Sequence, residues 1–210
     1  MSTIKKSLLY AGIAAPIIYT ATVIIGGVLW PGYNHIRQAV SELTGAGAPN
    51  QDILQPLFNA YNLLLLVFGI GLFTYFKGRA PKAVITASIV VIVTQLLSLS
   101  WVFFSMDVPG TPATFQGTMH LVVAGLVAPL TVAIPLVFGL GFNKLTAFKN
   151  FSVLSLVFSG VILITGLTSA LSINFLPAFM GLFERLTIFG YLLYVFLLAS
   201  KTLKSYPSEF

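Results

Sequence analysis

Cysteine is absent from the 210 residues, and that removes disulfides, thiolate metal sites, iron–sulfur ligation and cysteine catalysis together. Charge is scarce. Only 8% of residues are Asp, Glu, Lys or Arg, against about 25% in an ordinary soluble domain. Eleven Lys and Arg and five Asp and Glu are too few to cover a water-facing globule of this size. A soluble enzyme is therefore disfavoured. The formal net charge of +6 argues no better for a nucleic-acid module, because the positives are spread along the chain instead of forming one basic face. Disorder is excluded by a hydrophobic content of 57%.

What is present is long apolar runs. A bilayer core of about 30 Å requires roughly 20 apolar helical residues. Six runs qualify, at about 7–30, 55–76, 83–105, 117–142, 150–173 and 179–200. Segments such as Leu63 to Phe68 are apolar on every side and lack the alternation of transmembrane strands. The first run is too long for the apolar region of a signal peptide and reads as a retained helix. The expected fold is an all-α six-transmembrane-helix bundle, one domain over residues 1–210.

The positive charges set an orientation. Lys5, Lys6, Lys77, Arg79, Lys82, Lys144, Lys149, Lys201 and Lys204 all fall on one side of the alternating spans, leaving only Arg37 and Arg185 on the other. Positive loops stay inside. Both termini are thus expected in the cytoplasm, with the chain integral to the plasma (inner) membrane. Partners follow from that setting: membrane lipids, whose anionic heads suit the short basic loops, and a small amphiphilic ligand, but no nucleic acid.

The outer side collects the unusual residues. Glu42, Asp52, Asp107 and Glu184 lie there, with Glu209 in the tail as the exception, and so do His35 and His120. The first outer loop runs from Pro31 to about Leu54, behind Trp30, Pro31, Gly32 and Tyr33, which read as an interfacial belt and turn. Asn34 can cap a short interfacial helix that Gly45 ends. On it Ile36, Val40 and Leu43 form an apolar stripe facing the bundle, His35, Gln38 and Glu42 a second stripe, and Arg37 with Ser41 a third. His35 and Glu42 then stand about 10 Å apart on one face, able to flank a ligand but not to bond each other.

In the second outer loop Thr111 before Pro112 reads as an N-cap and first helical residue. Asp107 and His120 are placed to meet across the loop, where the carboxylate would either brace the histidine or fix its tautomer for acid–base work. Glu184 falls inside the hydrocarbon boundary, and a charge there must face the bundle, pair or snorkel. Adjacent helical residues point about 100° apart, so one of Glu184 and Arg185 is expected to face inward toward His120 and the first loop. Elsewhere Asn59, Asn62, Gln95 and Ser98 read as interhelical glue, Ser152, Ser155 and Ser159 as a packing seam, and Pro129, Pro135 and Gly69-x-Gly71 as kinks or close contacts.

The segments Pro31 to His35, Ser41 to Thr44, and Asp107 through Gly117 to His120 resemble, in order and over nearly the whole chain, an uncharacterised prokaryotic six-helix membrane family catalogued as domain of unknown function 998. The Ser41-Glu42-Leu43 element also resembles the Frag and Sfk group of six-helix proteins, which act in lipid and membrane organisation. The first resemblance implies that Glu42, Asp107 and His120 belong to one site. The second implies a lean toward lipids.

The expected function is an outward-facing polar pocket that binds or helps transport a lipid or other amphiphile, formed by His35, Arg37, Ser41, Glu42, Asp107, His120, Glu184 and Arg185. The alternative is an intramembrane enzyme acting on a lipid head group, with His120, Asp107 and Glu42 as catalytic candidates. His35, His120, Glu42 and Asp107 are its candidate ligands for a divalent metal, since zinc accepts imidazole and carboxylate. No cofactor is required by the sequence, and no HExxH, GxSxG or phosphate-binding glycine loop is present. A bis-histidine haem would need both histidines in one cavity.

Overall fold

In the computed structural model of the chain, residues 3–205 are described, with side chains from Lys6 onward. Lys5 and Glu209, used above in the charge accounting, lie outside the described side chains. Six helices carry the fold: α1 Thr3–Leu29, α2 Gln51–Phe76, α3 Lys82–Ser98, α4 Phe115–Phe142, α5 Lys149–Phe175 and α6 Met180–Lys204. Among the described residues all regular structure is helical, and all six segments are long and apolar enough to cross a membrane. The apolar runs set these bounds to within a few residues. The largest departure is α3, which tightens into a 3-10 helix at Leu99–Val102 instead of continuing to 105.

Each helix packs against its chain neighbours and α6 closes on α1, giving an antiparallel ring. The helices are apolar on their outward faces as well, as lipid contact requires. Val28 is 78% exposed and Val153 64%. The interior is filled mainly toward the basic end. Phe76, Phe138, Phe142 and Phe148 are fully buried there, and Phe142 stacks on Phe138 and Phe148 at 5.1 and 4.7 Å. The serine seam forms as expected. Ser152 donates to the Gly139 carbonyl at 2.7 Å, Ser159 to that of Val132 at 3.0 Å, and Tyr194 to Ser155 at 3.2 Å. Thus α5 is tied to α4 on either side of Pro135, and to α6.

The opposite end carries loops 30–50, 103–114 and the 3-10 turn Pro177–Phe179. Here the mixed-sign groups gather. A second apolar cluster of Val23, Val40, Leu43 and Leu54 plugs this end, with Tyr33 and Ile188 packed on it. Val40 and Leu43 thus point into the bundle as the stripe predicts, whereas Ile36 is 49% exposed.

Candidate functional site

The helix expected over 34–45 breaks in the middle. Asn34 does cap a turn: its Oδ1 accepts from the backbone N–H of Ile36 and Arg37 at 2.9 and 3.2 Å. The turn ends at Gln38, and the only further helix is the 3-10 segment Ser41–Thr44. The cause lies in charged side chains that outcompete the helical carbonyls, since hydrogen bonds to ionised groups are the stronger ones. The Ala39 N–H donates to Glu42 Oε1 at 2.8 Å, and the Val40 N–H to Glu184 Oε2 at 2.6 Å. The Gln38 carbonyl accepts from Arg185 Nη1 at 2.7 Å. Three consecutive residues thereby have their backbone held by side chains, Gln38 and Val40 from α6 and Ala39 from Glu42 in the loop itself.

Glu184 and Arg185 both serve the loop, and this corrects the expectation that only one would. Their differing directions are used on different targets. Glu184 holds Val40, while the buried Arg185 reaches Gln38, the Gly181 carbonyl at 2.9 Å and the Tyr33 hydroxyl at 2.6 Å. The guanidinium also lies 5.6 Å from the Tyr33 ring centroid, within cation–π range. Tyr33 in turn donates to the Ala39 carbonyl at 2.6 Å. Burial pushes its phenol up to about 12 against the opposing pull of Arg185, so it keeps the proton it donates. One more bond, from the Leu182 N–H to the Ile36 carbonyl at 2.9 Å, pins the loop to the start of α6. Close approach is required here: a Cβ at Gly181 would run into the Gln38 carbonyl.

The candidate residues divide into groups. Glu42 and Asp107 face one hollow of about 340 Å³, lined also by Trp30, Gln38, Gly45 to Ala48, Val108 and Pro109. The two loops are fastened beside it by the Ala46 N–H on the Met106 carbonyl at 2.8 Å and by Ser41 Oγ on Met106 Sδ at 3.0 Å. Glu42 bonds Ala39 and, at 3.0 Å, the Gln38 amide. Among the described residues neither carboxylate has a cationic side chain bonded to it. His35 stands apart on α1, edge-on to Tyr33 at 5.1 Å, where a Cβ at Gly27 would strike its ring. Burial and the nearby Arg185 hold His35 below its ordinary value. Arg37 is exposed, and among the described residues nothing accepts from its guanidinium.

His120 and Asp107 are within electrostatic reach of each other but make no hydrogen bond between them. His120 Nδ1 lies 3.0 Å from the Phe104 carbonyl, which can only accept, so Nδ1 carries a proton, and Nε2 bonds no described residue. Its ring lies 5.7 Å from that of Trp101. Asp107 turns to Thr114, accepting from its N–H at 2.9 Å and from its hydroxyl at 2.6 Å. These bonds hold the Asp107 carboxyl below the usual carboxylate value. They also make Thr114, not Thr111, the cap of α4: Thr114 Oγ1 accepts from the Gly117 N–H at 3.1 Å, while Thr111 merely closes its own turn onto Val108. Gly117 is small for a reason, since a Cβ there would overlap the Asp107 carboxylate.

Among the described residues no three of His, Asp and Glu come together as a group able to hold a metal ion. The metal set of His35, His120, Glu42 and Asp107 is therefore not assembled, and the two histidines occupy separate surroundings unsuited to a shared haem. No Asp, Ser or Thr side chain bonds to His120 among the described residues, so no nucleophile–base pair forms there. Tyr33 and Gln38 are functional neighbours that sequence reasoning placed only as belt and stripe residues. Neither carries a local signal of its contact with Arg185.

Six spans with an apolar exterior and charges confined to the ends define a multi-pass, all-α membrane protein. The chain belongs to the family described as a protein of unknown function (DUF998), whose model matches residues 13–201. No curated protein and no solved structure matches the chain.

Proposed function

We propose that the protein is an amphiphile-binding membrane protein whose mixed-charge end faces outward and receives a cationic head group in the hollow between Glu42 and Asp107. The chain is one domain of the plasma membrane with both termini cytoplasmic, and the 30–50 loop lies in the outer interface. The observation that carries the reading is two carboxylates without a bonded cation on one hollow rimmed by Trp30. Carboxylates and an aromatic face are the groups that recognise ammonium heads. Arg185 is spent on the loop, so the anionic alternative is left with Arg37, which does not line the hollow. The tail of such an amphiphile lies in the surrounding bilayer, and passage of the molecule across the membrane is the transport variant of the same reading.

Native mass spectrometry of gently extracted protein tests it, with phosphatidylethanolamine and phosphatidylglycerol of identical chains as competitors. The amine lipid is expected to be retained preferentially. Glu42→Gln should reduce that preference about tenfold, the weight of roughly one charged contact. Equal retention of both lipids, or no retained lipid at all, would overturn the proposal.

A further inference from the structure

Hydrogen-bond accounting inside the bundle leaves a second polar feature, separate from the outer hollow. Most buried hydroxyls bond a carbonyl one turn back on their own helix, as Thr22, Ser88, Thr94 and Ser98 do. Two interior side chains break the pattern. The Tyr191 hydroxyl and Gln95 Oε1 are buried without any hydrogen-bond partner, on residues 5% and 2% exposed. Tyr19, Tyr61 and Asn62 also make no side-chain hydrogen bond to another described residue, though their polar atoms are not fully enclosed. Asn62 and Gln95 are therefore not the interhelical glue their sequence positions suggest.

These groups lie at one level. Counting from the mixed-charge ends of α1, α2, α3 and α6 at the usual helical rises, each sits roughly 12–17 Å down its helix, near mid-depth of a core about 30 Å thick. They also share one region. The Tyr19 and Tyr61 rings are 4.7 Å apart, and the Tyr61 phenol is within electrostatic reach of those of Tyr19 and Tyr191. Gln95 lies at the same depth on α3, one turn from the buried Val91. Unpaired polar groups in a lipid-embedded interior are costly, by several kcal/mol each where no water reaches them. Four helices contribute to one such belt, which points to a partner the chain does not supply.

We infer that this belt is a binding site for an uncharged, hydroxyl- or carbonyl-bearing amphiphile that enters laterally between α1 and α6. Glu184 and Arg185 are within electrostatic reach of Tyr19 but stand nearer the outer end of α6 and are engaged with the loop backbone, so an ion in the belt would lack a counter-charge at its own level. Phenols and carboxamides offer both donors and acceptors, which suits a neutral hydroxyl or ester. The other face of the same seam is an apolar groove of about 570 Å³, running from Pro16 to Ile24 on α1 and from Phe189 to Phe196 on α6. Tyr19 precedes Thr20 of that groove, and Tyr191 precedes Leu192. At this depth the surrounding solvent is hydrocarbon, so the groove takes the tail of the molecule whose head occupies the belt.

The test uses the full chain in nanodiscs and a diacylglycerol carrying a photoactivatable diazirine on one acyl chain. The matched phosphatidic acid serves as the charged comparator. Saturable labelling of α1 and α6 peptides by the diacylglycerol is expected, with the phosphatidic acid at least tenfold weaker. Tyr191→Phe with Gln95→Leu should lower labelling about tenfold. Because neither group has a protein partner, the same variant should keep or raise thermal stability, a result that a purely structural role would not give. Glu42→Gln, which removes a charge from the outer hollow and touches no belt residue, should leave labelling unchanged, so the two proposals fail separately. Equal labelling by both lipids, equal labelling of variant and wild type, or a destabilised variant would overturn the inference. If the variant does not fold, Tyr191→Phe alone gives the same reading, and a loss of fold there would refute it as well.

Discussion

Arg185→Met is the most informative perturbation of the loop latch. Methionine keeps most of the aliphatic volume and removes the guanidinium. Two bonds to loop 30–50 disappear, to the Gln38 carbonyl and the Tyr33 hydroxyl, together with the cation–π contact at 5.6 Å. Hydrogen bonds from a charged donor are worth about 1.5–3 kcal/mol each. Against that stands the relief of a desolvated charge whose Nε has no partner, and such relief amounts to several kcal/mol. A net loss of about 2–3 kcal/mol in the closure of the loop follows. Glu184 still holds Val40 in this variant, so opening becomes easier without becoming complete. Hydrogen exchange in nanodiscs reads this directly, since protection of the Ala39 and Val40 amides should fall by about 30- to 200-fold. Amides at the basic end, around Phe142 and Phe148, should not change. Unaltered protection at Ala39 and Val40 would refute the latch. So would a uniform loss over all six helices, which would make Arg185 a determinant of the whole bundle.

Gly181→Ala should strain the same joint, because its methyl meets the Gln38 carbonyl. Overpacking of this kind costs about 1–3 kcal/mol, to be seen as a lower unfolding midpoint in detergent. Asp107 is held below its ordinary value of 3.8 by the Thr114 hydroxyl and N–H. A depressed carboxylate contributes stability that is present above the unfolded value and is lost as pH falls through the folded one. Exchange protection at Thr114 and Gly117 should therefore be flat from pH 7 to about 4.5 and fall only below about 4, whereas Asp107→Ala should expose both amides at every pH. His35 is a base depressed below 6.5, so the unfolded or opened loop binds more protons as pH drops below that value. Loop 30–50 should loosen on acidification from 6.5 downward, and an NMR titration of His35 that gives a midpoint at or above 6.5 would contradict the placement. The absence of native cysteine makes topology simple to read: a membrane-impermeant thiol reagent on intact cells should label Ala46→Cys and spare Asn143→Cys.

The fold was legible where local rules decide. Apolar length and flanking lysines located the six spans, and Val40 and Leu43 were placed correctly because burial follows helical spacing over a single turn. Reading failed where distant residues decide. The break at 38–40 depends on Glu184 and Arg185, 144 and 147 positions away, and no local pattern distinguishes a backbone amide that a remote carboxylate will claim. The second loop offered two threonines of equal propensity. Asp107 chose Thr114 through two hydrogen bonds. Glu42 and Asp107, which the resemblance sets in one site with His120, line one hollow, while His120 Nδ1 faces the Phe104 carbonyl, a backbone group invisible to side-chain motifs.

Partner counting separates the polar groups that hold this molecule together from those that await something else. A transmembrane helix satisfies its own backbone, so each interior side-chain donor must find a carbonyl or a neighbour. The serines of α5 do so, and among the latch residues Tyr33 and both terminal nitrogens of Arg185 are bonded, while Glu184 makes one bond, through Oε2. Groups of that kind set geometry and have little capacity left for a ligand. The outer carboxylates keep spare lone pairs toward open space, which suits a weak, exchangeable head-group contact. The Tyr191 hydroxyl and Gln95 Oε1 have no partner at all among the described residues. Removing an unpaired buried polar group is neutral or stabilising, so stability alone does not account for either group, and the binding site inferred above gives both a use.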